Sequence, residues 1–400
     1  MIDAAKIKSF FAKNKGDSII WTLVLFIMLF SVLAVYSTGA KLNADHQQSL
    51  MFLIKGHVFY LFIGLICMYI VQNINYRWWY KLSKLGLALG FLLLIATFSF
   101  GVSEHGAKRS LIVFGMKIQT IHFIELCVII FFSSWLARTK DNINDIKHDY
   151  IYKLIFIFVV CGLIMSQKTS ASIILGITCF VLLFVSKLKF KYFATTMGIL
   201  TIIVAIGVSI LMSDAVNPQS ENSFFKRLGT AKTRLESFSN KDDIHREILT
   251  TEAAIASSSL FPRPGESIHN YGVKESYSDY VFAFFVEEYG ILFGIILIVL
   301  YLILFYRAML IARRINTSFG AYLAVGIGFL ITFQAMVHIC VCTGVFPATG
   351  ETLPLFSKGG MSIITTSISI GILLNISKEA NKEMEQQKEK EKTTEEVYYE

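Results

Sequence analysis

The sequence predicts an all-α, polytopic membrane protein with ten transmembrane helices and one large periplasmic loop. Three observations predict it. Of the 400 residues, 54% are hydrophobic and 16% charged, whereas soluble domains average about 25% charged residues. The apolar residues fall into runs of about 17–25, the length that crosses a hydrocarbon core as a helix. The basic residues behind the net charge of +8 gather in alternate short loops, which is what the positive-inside rule produces. That placement makes the membrane, and not nucleic acid, the partner of the charge.

The elements follow in order. Residues 1–18 form a polar, basic tail. Span one, 19–38, is too long for a signal peptide and lacks a clear cleavage site, so it is expected to remain in the protein. Further spans are expected at 51–72, 83–102, 119–137, 150–166, 170–187, 192–213, 280–306, 320–344 and 359–377, with a tight hairpin at Gln167-Lys168-Thr169. Lysines and arginines before span one and in every second loop assign those loops, and both termini, to the cytoplasm. The ten spans make one membrane domain, 19–377, in the inner membrane. The loop 214–278 lies on the opposite face. Its helix-forming TTEAAIASS and its turn FPRPGES predict a partly ordered cap. The tail 378–400 is charged and of low complexity, expected to be disordered or loosely helical. All six cysteines lie in apolar runs and read as small core residues, not as disulfides or a metal site.

The stretch ESYSDYVFAFFVEEYG, 275–290, puts three acids at and inside a span. A charge at a bilayer centre costs about 2.5–3.5 kcal/mol on insertion scales, so such acids have a task or a partner. On a continuous helix Asp279 stands at the outer boundary, and Glu287 lies about 12 Å deeper on the same side. Asp279 is then either a reactive carboxylate or an N-terminal cap. Lys108 and Arg109, on the outer side where basic residues are scarce, suit either a pyrophosphate or the headgroup region. His122 and Glu125, three apart in span four, read as a buried pair. Gln334 and His338, four apart in span nine, read as a polar contact between helices. The stretch GVFPATGETLPLFSKGGMS, 344–362, breaks the chain before the last span. It is either an ordinary turn or an anion site, with Gly359-Gly360 at a helix start and Lys358 adding charge. The carboxylate, the cations and the broken helix start all map to the outer side, which suits a phosphate-bearing lipid.

These residues resemble those of the SEDS proteins, the FtsW/RodA/SpoVE family, over nearly the whole chain. The likeness rests on RPGES at 263–267, YSDYVF at 277–282, EEYG at 287–290, PATGETLPLFSKGGMS at 347–362 and LLNIS at 373–377. The turn and the YSDY…EEYG form are nearer to the FtsW branch than to RodA. The first half departs. The family's RW pair is Arg109-Ser110. Its QPSE-x-x-K pattern aligns with QTIHFIE at 119–125, with His122 where Glu is usual and Glu125 where Lys is usual. Its P-D-x-G-T-A stretch aligns with SQKTSA at 166–171, without the Asp, and its GGLFGKG becomes SSLFPRPG.

The resemblance implies a glycosyltransferase that polymerises lipid II and releases undecaprenyl pyrophosphate. It implies septal cell-wall synthesis beside a class B penicillin-binding protein transpeptidase and other divisome proteins. Asp279 corresponds to the essential aspartate, expected as general base. Arg109, Lys108, Lys358, Ser357, Gly359, Gly360, Thr349 and Glu287 are the expected substrate-binding residues. The departing pyrophosphate is expected to meet Arg109, Lys358 or a divalent cation, Mg or Mn; no other cofactor is expected. The competing readings are a RodA-type elongation polymerase, a lipid flippase or transporter, and an inactive scaffold. A carrier places its polar residues near mid-membrane, often with repeat symmetry; here they gather at the outer mouth and no clear repeat is visible. A scaffold has no need of Asp279.

Overall fold

The computed structural model describes residues 16–42, 50–104, 107–113, 116–139, 146–186, 198, 246–265, 267–269, 273 and 276–399. Its helices are α1 (Ser18–Leu42), α2 (Leu50–Gln72), α3 (Arg77–Phe100), α4 (Ile121–Thr139), α5 (Ile146–Met165), α6 (Thr169–Val185), α7 (Arg246–Ala256), α8 (Val281–Tyr289), α9 (Ile291–Arg314), α10 (Ser318–Cys342) and α11 (Gly360–Tyr399). Among the described residues seven of them, α1 to α4 and α9 to α11, are long and apolar enough to cross a membrane, and α6 is shorter at 17 residues. The chain is a helical, multi-pass membrane protein. The expected span at 192–213 and most of the loop 214–278 lie outside the described residues.

The centre of the bundle is α4, α10 and α11, each mostly buried, while α2, α3 and α9 turn apolar side chains such as Phe62, Leu92 and Ile295 outward. Without water, helices associate through close packing of small residues and polar contacts. The pairing of α2 with α11 follows that rule: a Cβ at Gly371 would lie 2.8 Å from the main-chain oxygen of Met68. At one end of this pair, Asn375 accepts from the Tyr76 N–H at 2.7 Å and donates to the Gln72 carbonyl at 2.7 Å, fixing the turn between α2 and α3. The LLNIS segment therefore serves the scaffold. Arg307 pairs with Asp17 beside it.

Two expectations change. The outer connection before α4 is not loop alone. It carries an antiparallel meander of β1 (Val102–Glu104), β2 (Ala107–Val113) and β3 (Met116–Gln119), with Ser110 opposite Gln119. The expected span 280–306 is two helices, broken at Gly290. That residue has φ +89°, and a Cβ there would stand 2.8 Å from the Leu260 oxygen; only glycine takes this backbone so close to another chain segment without strain. The N–H groups of Ile291 and Leu292, freed at the start of α9, bond to the carbonyls of Ser259 and Leu260. Of the two alternatives for the tail 378–400 the helical one is seen: α11 runs on without a break to Tyr399. Most of the helix-forming stretch TTEAAIASS lies in α7.

Candidate active site

A cavity of about 780 Å³ opens at the end of the bundle that the charge pattern assigns to the outside. Its wall takes six residues from the first half of α2, among them His57 and Tyr60. The rest comes from connections: Gln119 and Ile121 at the β3–α4 junction, Gln167 and Lys168 between α5 and α6, Tyr277 to Asp279 before α8, and Gly350, Thr352 and Lys358 to Gly360 before α11.

Asp279 sits in the turn preceding α8, half-buried, and is the sole carboxylate among the described residues of that wall. The Ser278 hydroxyl donates to its Oδ1 at 2.9 Å. On the other side Gly350 packs so close that a Cβ there would lie 3.3 Å from Oδ2. Gly350 has φ +65°, which lets the loop backbone turn past the carboxylate. The capping alternative does not hold: the residue flanking α8 is Tyr280, and no side chain caps that end. Among the described residues Asp279 forms no ion pair.

The GETLPLFSKGG segment is locked onto this turn. Ser357 donates to the Ser278 carbonyl at 2.6 Å and accepts from the Leu353 N–H at 2.8 Å. Lys358 donates its N–H to the Tyr277 carbonyl at 3.0 Å, and its ammonium lies 4.8 Å above the Tyr277 ring. Gly359 and Gly360 follow, opening α11 at the cavity with the N–H groups of a helix start. Ser31 donates to the Phe356 carbonyl at 2.6 Å, so its oxygen is left to accept from Nε2 of His57 at 2.6 Å.

Below the cavity lies a buried polar cluster centred on Glu351. Its carboxylate receives Lys168 at 3.0 Å, Ser170 at 2.7 Å and Gln334 at 3.2 Å, and its carbonyl accepts from His338 Nδ1 at 2.7 Å. Burial pushes the Glu351 carboxyl up, but the Lys168 charge and the Ser170 hydroxyl outweigh it and hold the group below the usual carboxylate range. Gln334 and His338 thus contact the outer connection and not a neighbouring helix. His122 and Glu125 form the buried pair expected of them, at 3.3 Å.

The structure therefore brings Asp279, Lys358, Gly359 and Gly360 together on one wall. Ser357 and Thr349 lie in the same connection but behind the wall. Glu287 is elsewhere. It is not 12 Å below Asp279 on one continuous helix, because α8 starts only at Val281 and ends at Gly290. Its carboxylate accepts from the Ser267 hydroxyl, the N–H groups of Ile268 and His269, and the His269 ring, while Glu288 accepts from the Gly265 N–H. The two glutamates clamp the PGES turn. Lys108 and Arg109 lie in β2, and their side chains fall outside the described residues. Sequence reasoning missed His57, Gln119 and above all Lys168 and Glu351.

The donors present do not fit a resident Mg or Mn ion. Among the described residues no three of His, Cys, Asp and Glu gather where they would hold a metal, and a hard cation wants several oxygen ligands.

The sequence pattern of the FtsW/RodA/SpoVE family, described as cell cycle proteins, matches residues 17–382. Stage V sporulation protein E of Bacillus subtilis (strain 168) is 27% identical over 373 residues, 92% of this chain and 98% of the relative. A probable peptidoglycan glycosyltransferase FtsW of Haemophilus influenzae is 29% identical over 379 residues, 91% of this chain and 90% of the relative. Among solved structures, a chain of a peptidoglycan synthase complex superposes with a TM-score of 0.74 at 20% identity, over 92% of this chain and 98% of that one. The rod shape determining protein RodA of Thermus thermophilus gives 0.65 at 20% identity with the same coverage. These last two establish a shared fold. The family pattern leaves out only the two ends of the chain, and it covers the cavity, the turn of Asp279 and the segment that opens α11; this chain belongs to the FtsW/RodA/SpoVE family of cell cycle proteins.

Proposed function

We propose that this chain is a peptidoglycan glycosyltransferase of the FtsW kind, joining lipid II units into glycan strands at the outer face of the inner membrane during septal synthesis. The observation that carries the reading is Asp279: among the described residues the one carboxylate on the wall of a large outer cavity, facing it together with Lys358 and the glycine start of α11. The named FtsW relatives support the activity. The cavity also counts against a carrier, since its polar groups lie at one end of the bundle and not at mid-membrane.

In the reaction the acceptor sugar hydroxyl attacks the anomeric carbon of the donor. A C–O glycosidic bond forms as the C–O bond to the pyrophosphate breaks. Asp279 takes the hydroxyl proton, and the pyrophosphate leaves with the bonding electrons. The negative charge that builds there meets Lys358 and the N–H groups at the start of α11. Both termini are then cytoplasmic, residues 19–377 form the membrane domain, the 214–278 loop is periplasmic, and a class B transpeptidase and other divisome proteins are the partners.

The test is polymerisation of purified lipid II by the wild-type chain with its transpeptidase partner, beside Asp279→Asn. Wild type is expected to make glycan. The variant, folded and inserted, is expected to lose at least about 100-fold, the lower share of a positioned general base. Full activity of the variant would remove Asp279 from the mechanism.

A further inference from the structure

Lys168 is the sole charged residue between Lys153 and Lys187, and Glu351 the sole acid between Glu288 and Glu379. An isolated charge in an apolar stretch is expensive unless it finds a partner. These two find each other, 3.0 Å apart, at 7% and 1% exposure. In the SQKTSA hairpin Gln167 stands where the family has its Asp and Lys168 at the next, open position, while the acid comes from position 351, which the P-x-TG-x-x-LPF pattern also leaves open.

We infer that the Lys168–Glu351 ion pair is a positioning device that presses the Thr349–Glu351 turn against Asp279 and so aims the base into the cavity. This inference rests on Asp279 being the reacting carboxylate. The contacts straddle Gly350, the residue that touches Asp279. Ser170 donates to the Thr349 carbonyl at 3.1 Å on one side, while Ser170 and Lys168 both grip the Glu351 carboxylate on the other. Lys168 and Ser170 belong to the α5–α6 hairpin, where the Lys168 N–H is itself tied to the Ile164 carbonyl at 3.0 Å. A rigid hairpin on one side of the cavity thus sets the backbone that limits where the Asp279 carboxylate can turn. Misplacing a reacting group by about 1 Å can cost on the order of 100-fold in rate.

Removing one partner leaves a bare buried charge and risks the fold, whereas replacing both by apolar residues of similar size is often neutral in stability. The decisive variant is therefore the double replacement Lys168→Met with Glu351→Met. It is expected to insert and melt in detergent near the wild-type temperature, with KM for lipid II within about twofold and kcat lowered about 100-fold. The reversed pair, Lys168→Glu with Glu351→Lys, is expected to recover most of that loss. Ser170→Ala, which keeps both charges, supplies the same test should the Met pair fail to insert; there kcat falls about fivefold at unchanged KM. Wild-type kcat in the Met pair, or in Ser170→Ala, would overturn the inference. Carbodiimide labelling of Asp279, read by mass spectrometry, separates it from the glycosyltransferase reading. Labelling rises several-fold if the turn withdraws, and unchanged labelling overturns the positioning role even in protein that makes no glycan.

Discussion

Asp279 and Glu287 stand eight residues apart in one stretch of sequence, both acidic, both on the outer end of the bundle, and their surroundings are opposite. Glu287 is buried, and four donors from Ser267, Ile268 and His269 saturate its carboxylate. Asp279 receives one described protein hydrogen bond, from its neighbour Ser278, and faces a cavity. A carboxylate whose lone pairs are filled by the protein holds a loop; one whose lone pairs are left open has capacity for a substrate. The difference separates scaffold from chemistry where residue type alone does not.

The sharpest way to break that comparison is to remove one charge at a time. Asp279→Asn is expected to lose at least about 100-fold in polymerisation with its melting temperature unchanged. Glu287→Gln should do the reverse. Hydrogen bonds to a charged group contribute about 1.5–3 kcal/mol, so the PGES turn loosens and the melting temperature falls, while activity per folded molecule stays within a few-fold. Lipid II turnover and thermal unfolding, measured on both proteins, decide it. A Glu287→Gln protein that melts like wild type yet is inactive would erase the distinction.

How much of this was legible in the sequence follows from the kind of signal each residue leaves. The spans were, because long apolar runs with few charges have one physical solution in lipid. The break at Gly290 was not: a glycine inside an apolar run looks the same whether it packs helices or turns the chain at φ +89°. Asp279, Lys358 and the Gly359-Gly360 pair were legible as polar features on one face. The β1–β3 meander was hidden because its strands are only three, seven and four residues long. Lys168 and Glu351 each left a clear trace as lone charges, but only the fold shows that two segments about 180 residues apart in sequence meet.

A smaller effect is expected at Lys358, whose main chain is fixed on Tyr277 while its ammonium lies over the ring and lines the cavity. If it meets the pyrophosphate in the bound state, Lys358→Ala raises KM for lipid II about tenfold, a loss of about 1.4 kcal/mol, and Lys358→Arg recovers part of it. Because the backbone bond to Tyr277 survives the substitution, the melting temperature should hold. An unchanged KM across a lipid II titration would take Lys358 out of substrate binding.

The smallest effect isolates the single hydrogen bond that distinguishes Asp279 from a wholly unheld carboxylate. Ser278 contributes twice: its hydroxyl donates to Asp279, and its carbonyl accepts from Ser357. Ser278→Ala removes only the first, so the loop that carries Ser357 stays in place and the base loses its one described side-chain tether. Asp279 faces the cavity, so water there can replace most of the lost bond and the net loss is about 1 kcal/mol; kcat should fall about fivefold with KM unchanged, and Ser278→Thr, which keeps the hydroxyl, should restore it. The split matters more than the size. A rise in KM instead would mean that the Ser278 hydroxyl contacts the sugar, and an unchanged kcat would mean that the Gly350 backbone alone orients the carboxylate, moving the whole positioning role onto the turn held by Lys168 and Glu351.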